Sequence, residues 1–340
     1  MNIEGDAKKL AELLENSKEI LIMQADNPDG DSLGSSLALE QILGDLGKDT
    51  YMYCAVDMPS YLRYMDGWDR VQKEIPSQFD LSIMVDVSTD TLFELLEKSP
   101  QKSWVSSKPC IVIDHHDIES KIPYASLVIN HPVVATSELI YELAQKLSWP
   151  INIEAKKMIM IAIMSDSLGL TTEATTARSI QIVSELVAGG VNIAEIEMKR
   201  RDLSRKSPSL VHYKGELLER VEYYFDNRIA VISIPWEEIV KYSNEYNPSM
   251  LVLDDMRQTI NTRVGVAFKI YNDGKVTGKI RCNYGSAVAN TIAEHFGGGG
   301  HKYASGFKIT DRRPFEDIKK EFIEITTKLL KEMGNKNEDI

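Results

Sequence analysis

No window of the sequence approaches the roughly 18 consecutive apolar residues needed to cross a bilayer. The opening residues, Met1-Asn2-Ile3-Glu4-Gly5-Asp6, also lack the basic and apolar pattern of a secretory signal. A cytoplasmic protein with no membrane partner is expected. Cysteine is scarce: Cys54, Cys110 and Cys282 are far apart, each in an apolar or strand-like run. That argues against a disulfide framework or a thiolate-rich zinc site and predicts buried free thiols. Positive charge is the third deficit, with 39 Lys and Arg against 51 Asp and Glu and a net charge of −12. An extended nucleic-acid surface needs a basic stripe to neutralise phosphates, so none is expected, whereas a short nucleotide substrate stays open. Internal repeats and long low-complexity segments are absent as well. What remains, 43% apolar and 26% charged residues in a chain of 340, describes a globular protein large enough for two domains.

The most informative stretch is an acidic turn behind a buried strand. Ile20-Leu21-Ile22-Met23 reads as a short strand, and Leu33 and Leu37 open a helical period, with Asp29-Gly30-Asp31 in the turn between them. Ligands of open α/β sheets bind beyond the carboxyl ends of the strands, which places Asp29 and Asp31 at the functional edge. A glycine between the two acids lets the backbone bend and both side chains converge. Alone, Pro28-Asp29-Gly30 reads equally well as a solvated turn.

Three more apolar runs follow, at 50–56, at 81–85 ending in Asp86, and at 110–113 ending in Asp114-His115-His116. Helix-like stretches separate them, so the four strands predict a parallel sheet. One edge of that sheet would collect Asp29, Asp31, Asp86, Asp114, His115 and His116. Only six histidines occur in the chain, and two stand together here. Helical periods resume with Leu139, Ile140, Leu143 and Leu147, then with a nearly all-apolar helix over 153–164 that delivers Asp166. A carboxylate ending a buried apolar helix is costly unless paired or metal-bound, which adds Asp166 to the candidate ligands.

A helix over 176–187 stops at Gly189-Gly190, and the charged stretch 192–206 reads as a solvated connecting helix. The expected domains are 1–190, a linker helix over 191–220, and 221–334. Strands are predicted at 228–234, 263–271 and 277–282, the last two joined by the hairpin signal Asn272-Asp273-Gly274-Lys275. A helix over 287–296 then runs into Gly297-Gly298-Gly299-Gly300-His301. Such a run lets backbone N–H groups approach a phosphate or base; otherwise it is a flexible loop. It is not a nucleotide-triphosphatase phosphate loop, because Lys302 is followed by Tyr303. The fold class is α/β: a parallel sheet flanked by helices, a helical linker, and a smaller C-terminal α/β domain for substrate.

Taken in order, Asp29-Gly30-Asp31, Asp86, Asp114-His115-His116, Asp166 and the distal glycine run resemble the DHH phosphoesterase family with its DHH-associated C-terminal domain. The resemblance is strongest to the branch called nanoRNases, which hydrolyses short oligoribonucleotides and in some members 3′-phosphoadenosine 5′-phosphate. It implies two manganese ions: Asp29 on the first, Asp86 bridging both, and Asp31, His115 and Asp166 on the second, with a bridging water as nucleophile. It further implies His116 against the scissile phosphate, Asp114 orienting the histidine pair, and Arg281, Gly298, Gly299, Gly300 and His301 binding substrate. One position departs from the family. Four residues before the first acid, where a histidine is usual, stands Ala25, so the first site is expected to be weak unless Gln24, Asp26 or Asn27 substitutes. The alternatives are a nucleotide-binding regulator that lost turnover through Ala25, and a phosphodiesterase specific for cyclic or linear dinucleotides. An inorganic pyrophosphatase fits less well, because the glycine run points to a nucleotide. Base preference, cleavage polarity and oligomeric state, including a homodimer, stay open.

Overall fold

The computed structural model describes residues 3–87, 89–116 and 121–337, in two compact units that divide between Arg205 and Lys206. The first unit runs α1 (Glu4–Glu15), β1 (Glu19–Met23), α2 (Gly30–Asp45), β2 (Asp49–Tyr53), β3 (Leu81–Val85), α3 (Glu94–Glu97), α4 (Gln101–Ser106), β4 (Cys110–Asp114), β5 (Leu127–Asn130), α5 (Thr136–Lys146), α6 (Ile153–Asp166), α7 (Ala177–Ala188) and α8 (Ile193–Leu203). All five strands pair in parallel, in the order β2-β1-β3-β4-β5. From β1 the chain steps one way to β2 and then returns to the other side for β3. That reversal opens a crevice at the carboxyl ends of β1 and β3, where ligands of such sheets bind.

Both faces of this sheet are covered, which is why its strands read as continuous apolar runs instead of alternating. Ile20 and Ile22 face one apolar cluster with residues of α2, α5 and α6, while Leu21 and Met23 face another with Phe79, Phe93 and Val105. Gly30 and Gly34 have a packing role that the turn chemistry did not predict. A Cβ on Gly30 would lie 2.1 Å from Ser165 Oγ, and one on Gly34 2.9 Å from Ala162 Cβ and from the Met158 carbonyl oxygen. The two glycines therefore let α2 lie against α6, and the close crossing brings Asp31 and Asp166 to the same place.

The second unit runs α9 (Pro208–Glu219), β6 (Glu222–Tyr224), β7 (Ile229–Ile234), α10 (Trp236–Tyr242), α11 (Pro248–Arg257), β8 (Val264–Ile270), β9 (Val276–Cys282), α12 (Ala289–His295), β10 (Gly299–His301), β11 (Ala304–Ile309) and α13 (Phe315–Asn337). Its sheet has the order β10-β11-β9-β8-β7-β6, with only β7 and β8 parallel. The stretch 191–220, expected as one helix, is two. Ser207 caps α9 by accepting the Leu210 N–H at 3.1 Å, with Pro208 at the first helical position. Leu210, Tyr213 and Leu217 of α9 join the core of the second unit, where Tyr213 stacks on Tyr242 at 3.7 Å. All three cysteines are buried and free. Among the described residues no single helix is long and apolar enough to cross a membrane.

Candidate metal centre

Each acidic residue at the crevice is held by its element. Asp29 is the N-cap of α2 and accepts the N–H groups of Asp31 and Ser32, both at 3.0 Å, while Ser32 Oγ accepts the Asp29 N–H. Burial raises its pKa above the usual carboxylate value against the pull of the Ser32 N–H. Asp31 is fully buried. Its Oδ2 accepts the Thr136 N–H at 2.6 Å, and its Oδ1 accepts the Ser137 N–H and Ser35 Oγ at 3.2 and 3.0 Å. The start of α5 thus pins the carboxylate in place, with Asp31 at the floor of the site.

Asp86 follows β3 with φ +58, a left-handed conformation that few non-glycine residues adopt and that turns its side chain into the crevice. Burial, opposed by His115, raises its pKa to about 6. The Asp31 pKa is also pushed well up, by burial first and then by the charges of Asp86 and Asp166. Carboxylates crowded in this way repel one another at neutral pH.

The histidines show what would relieve that repulsion. His115 Nδ1 lies 3.0 Å from the Val133 carbonyl oxygen, which can only accept, so Nδ1 carries a proton. Its Nε2 lies 3.3 Å from Asp166, 3.4 Å from Asp86 and 3.8 Å from Asp31, yet is buried and makes no hydrogen bond. A nitrogen lone pair aimed at three carboxylates is stable only with a proton or a cation between them. Burial alone would lower the His115 pKa, but the carboxylates of Asp166 and Asp86 override it and lift it to about 11. Two groups, Asp86/His115/His116 and Asp31/His115/Asp166, have donor atoms close enough to share a metal ion. Oxygen and imidazole donors of this kind suit a divalent cation of intermediate hardness.

His116 is built differently. Its Nδ1 lies 2.8 Å from Asp114 Oδ1, and that carboxylate also accepts the N–H of His115 at 2.9 Å and of His116 at 3.4 Å. Asp114 is fully buried at the end of β4, so it orients the pair without reaching the crevice. The hydrogen bond to Asp114 raises the His116 pKa, and the side chain is 45% exposed.

Of the predicted ligands, Asp31, Asp86, His115 and Asp166 come together. Asp29 lies in neither group of shared donors; its Oδ1 serves the helix cap. Ala25, two residues beyond β1, is buried in the apolar cluster with Leu21 and Met23, and its carbonyl accepts the Cys54 thiol at 3.3 Å. Beside it, Asp26 accepts the Leu95 N–H at 2.8 Å through Oδ2 while its Oδ1 is buried without a partner, as are both amide atoms of Gln24. Nothing in the periodicity singled out Gln24; a polar residue ending an otherwise apolar strand was the available signal.

Two family models match this chain, the DHH family N-terminal domain over residues 19–168 and the DHHA1 domain over residues 238–332. The chain carries a DHH domain followed by a DHHA1 domain. It is accordingly a phosphoesterase-type hydrolase. The bifunctional oligoribonuclease and PAP phosphatase NrnA of Thermus thermophilus is 25% identical, over 82% of this chain and 81% of that protein. The protein of the same name from Bacillus subtilis is 23% identical over 85% and 89%. The crystal structure of an exopolyphosphatase-related protein from Bacteroides fragilis shares the fold, with a TM-score of 0.84 at 23% identity, covering 96% of this chain and 98% of that one.

In the DHHA1 unit, Arg281 pairs with Ala304, which pairs in turn with His301, so the two side chains flank one methyl group on a single sheet face. Arg281 is half-buried, and burial, followed by the charge of Arg257, lowers its pKa. The glycine run is no loose loop. Gly299, Gly300 and His301 form β10, and a Cβ on Gly298 would lie 2.2 Å from the Gly306 carbonyl oxygen.

Proposed function

We propose that the chain hydrolyses short oligoribonucleotides and small nucleotides such as 3′-phosphoadenosine 5′-phosphate, in the cytoplasm, with two manganese ions. The observation that carries the reading is His115 Nε2, buried and unbonded among the carboxylates of Asp31, Asp86 and Asp166. The names of the Thermus and Bacillus relatives supply the substrate class.

Asp86 would serve both ions, Asp31, His115 and Asp166 one of them, and Asp29 the other. Bound there, divalent cations neutralise phosphoryl oxygens and lower the pKa of water. The chain's own residues supply the rest. His116, whose charged form is favoured by its bond to Asp114, donates from its other ring nitrogen to a phosphate oxygen and stabilises the negative charge that builds there. Asp114 fixes the ring's tautomer and direction. Burial of Asp31 and Asp86 keeps competing water from the carboxylates. Arg281, Gly298, Gly299, Gly300 and His301 bind the remainder of the nucleotide.

The test is release of mononucleotide from a 5′-labelled dinucleotide with and without manganese. Manganese-dependent release supports the reading. Tight nucleotide binding with no release at any manganese concentration would make the chain a nucleotide-binding regulator.

A further inference from the structure

In this acidic chain, one sheet face of the second unit collects cations with no carboxylate to answer them. Lys269 of β8 lies opposite Thr277 of β9, and Thr277 lies opposite Lys308 of β11. Lys279, two residues along β9, projects on the same side. Adjacent strands lie about 4.8 Å apart and alternate residues about 6.8 Å apart, so three lysine side chains leave the sheet around Thr277. Next to Lys279 the partners are Ala267 and Gly306, which leave the space above the strand open.

None of the three lysines makes an ion pair with a carboxylate among the described residues. Lys279 Nζ lies 3.8 Å from the Met250 sulfur, a weak acceptor. Burial, and then the neighbouring charge of Lys279, lowers the Lys269 pKa; burial, and then Arg281, lowers that of Lys279. An open pocket of about 540 Å³ is lined by all three lysines, Thr277, Ser249 and Gly298.

A second, independent feature lines the same pocket. Ser249 is 1% exposed, and its Oγ is buried with no hydrogen-bond partner. It sits in the first turn of α11, whose ten residues present their positive dipole end there. The backbone N–H groups of Ser249 and Met250 are already taken by Asn247, so the hydroxyl and the dipole are what the helix offers. Three ammonium groups and two hydroxyls exceed what a two-oxygen carboxylate can use. A phosphate dianion has enough acceptors for all of them.

We propose that this pocket is a phosphate subsite, in which Lys269, Lys279, Lys308, Thr277 and Ser249 hold a phosphomonoester or inorganic phosphate dianion. For a nucleotide as carrier of that phosphate the inference rests on the function proposed above; the anion itself stands on these residues.

The experiment is calorimetric titration of inorganic phosphate into the full chain in EDTA, which silences the metal centre. One phosphate should bind, and Lys279→Met and Lys308→Met should each weaken it roughly 10- to 150-fold, the loss of a charge-assisted contact. Lys279→Arg should recover most of the affinity, which a merely structural role would not predict. Failure of the unmodified protein to bind phosphate, or equal binding by the methionine variants at unchanged thermal stability, overturns the subsite. Adding 5′-AMP distinguishes the two sources: displacement of phosphate by 5′-AMP but not by adenosine assigns the pocket to a nucleotide end, and simultaneous binding assigns it to a free anion. Dinucleotide hydrolysis by the unmodified enzyme is scored separately. Its absence defeats the proposed function and leaves phosphate binding untouched, while hydrolysis without phosphate binding defeats the subsite alone.

Discussion

Loading the metal centre should expel a proton, because the position a cation would take beside His115 is held by a proton in its absence. With its pKa lifted to about 11, metal-free His115 is an imidazolium at neutral pH. A metal ligand must offer a bare lone pair, and Nδ1 is committed to the Val133 carbonyl, so the proton that leaves is the one on Nε2. An ordinary histidine with a pKa near 6.5 would be only about 10% protonated at pH 7.5 and release about 0.1 proton. His115 should release about one, and Asp31, whose pKa is also raised, can only add to the count. Displacing a proton from a group near 11 at pH 7.5 opposes binding by about 5 kcal/mol, so apparent manganese affinity should rise about tenfold per pH unit. Below about pH 6, where Asp86 must also lose a proton, the slope should steepen toward two. Calorimetry of manganese binding in buffers of different ionisation enthalpy counts the protons directly, and nitrogen NMR of metal-free protein reports His115 independently. A count near zero at pH 7.5 with manganese bound, or a His115 ring that titrates near 6.5, would refute the picture of Nε2 held among three carboxylates.

Asp86→Asn should lower kcat by at least about 100-fold with the fold retained, since outer partners of metal ligands alone cost 10- to 100-fold; activity near that of the unmodified enzyme would remove Asp86 from a shared ligand role. Arg281→Ala should raise KM for a 5′-phosphorylated dinucleotide by an amount equivalent to roughly 1.5–3 kcal/mol and act far less on a nitrophenyl phosphodiester, whereas equal loss on both would make Arg281 a support of the fold. Gly34→Ala places a methyl group against the Met158 carbonyl and Ala162, and should cost about 1–3 kcal/mol in chemical denaturation; an unchanged midpoint would show that α2 and α6 can part freely. Ala25→His should lower the manganese concentration for half-maximal rate while reducing thermal stability, because a ring replaces a methyl group packed against the apolar cluster with Tyr53 and Phe93; unchanged metal dependence would mean that position 25 does not face the first ion.

The parallel sheet was readable because it is buried on both sides. Ile20 to Met23, Leu81 to Val85 and Cys110 to Ile113 are uniformly apolar for that reason, and each run ends on the side chains of the site. Where burial is partial the signal weakens. In β5 exposure alternates over only four residues, and β6 has three, of which Glu222 and Tyr223 are exposed. Neither has the length to separate a strand from a loop. The break between α8 and α9 was hidden by charge: a run of lysines and arginines reads as one solvated helix, although Ser207-Pro208 is itself a helix-start signal.

In the site, residue type was readable and residue function less so. Acids behind apolar strands identify a ligand set because no fold would bury Asp31 and Asp86 unpaired, and that logic needs no knowledge of their partners. Glycine misled, because its two uses look alike in a sequence. Gly30 was assigned a bend between two acids, yet what it permits is the approach of Ser165. The lysines of the second unit were illegible for a related reason: Lys269, Lys279 and Lys308 are spread over forty positions and look like ordinary surface residues until the register sets them around Thr277. Ala25 is the converse case, a loss visible in sequence whose surroundings are visible only in space. An unpartnered amide costs about 1–3 kcal/mol when buried, and Gln24 buries both of its polar atoms unpartnered one residue from the missing imidazole. Asp26 Oδ1 is buried unpartnered as well, so the residues on both sides of Ala25 carry that cost.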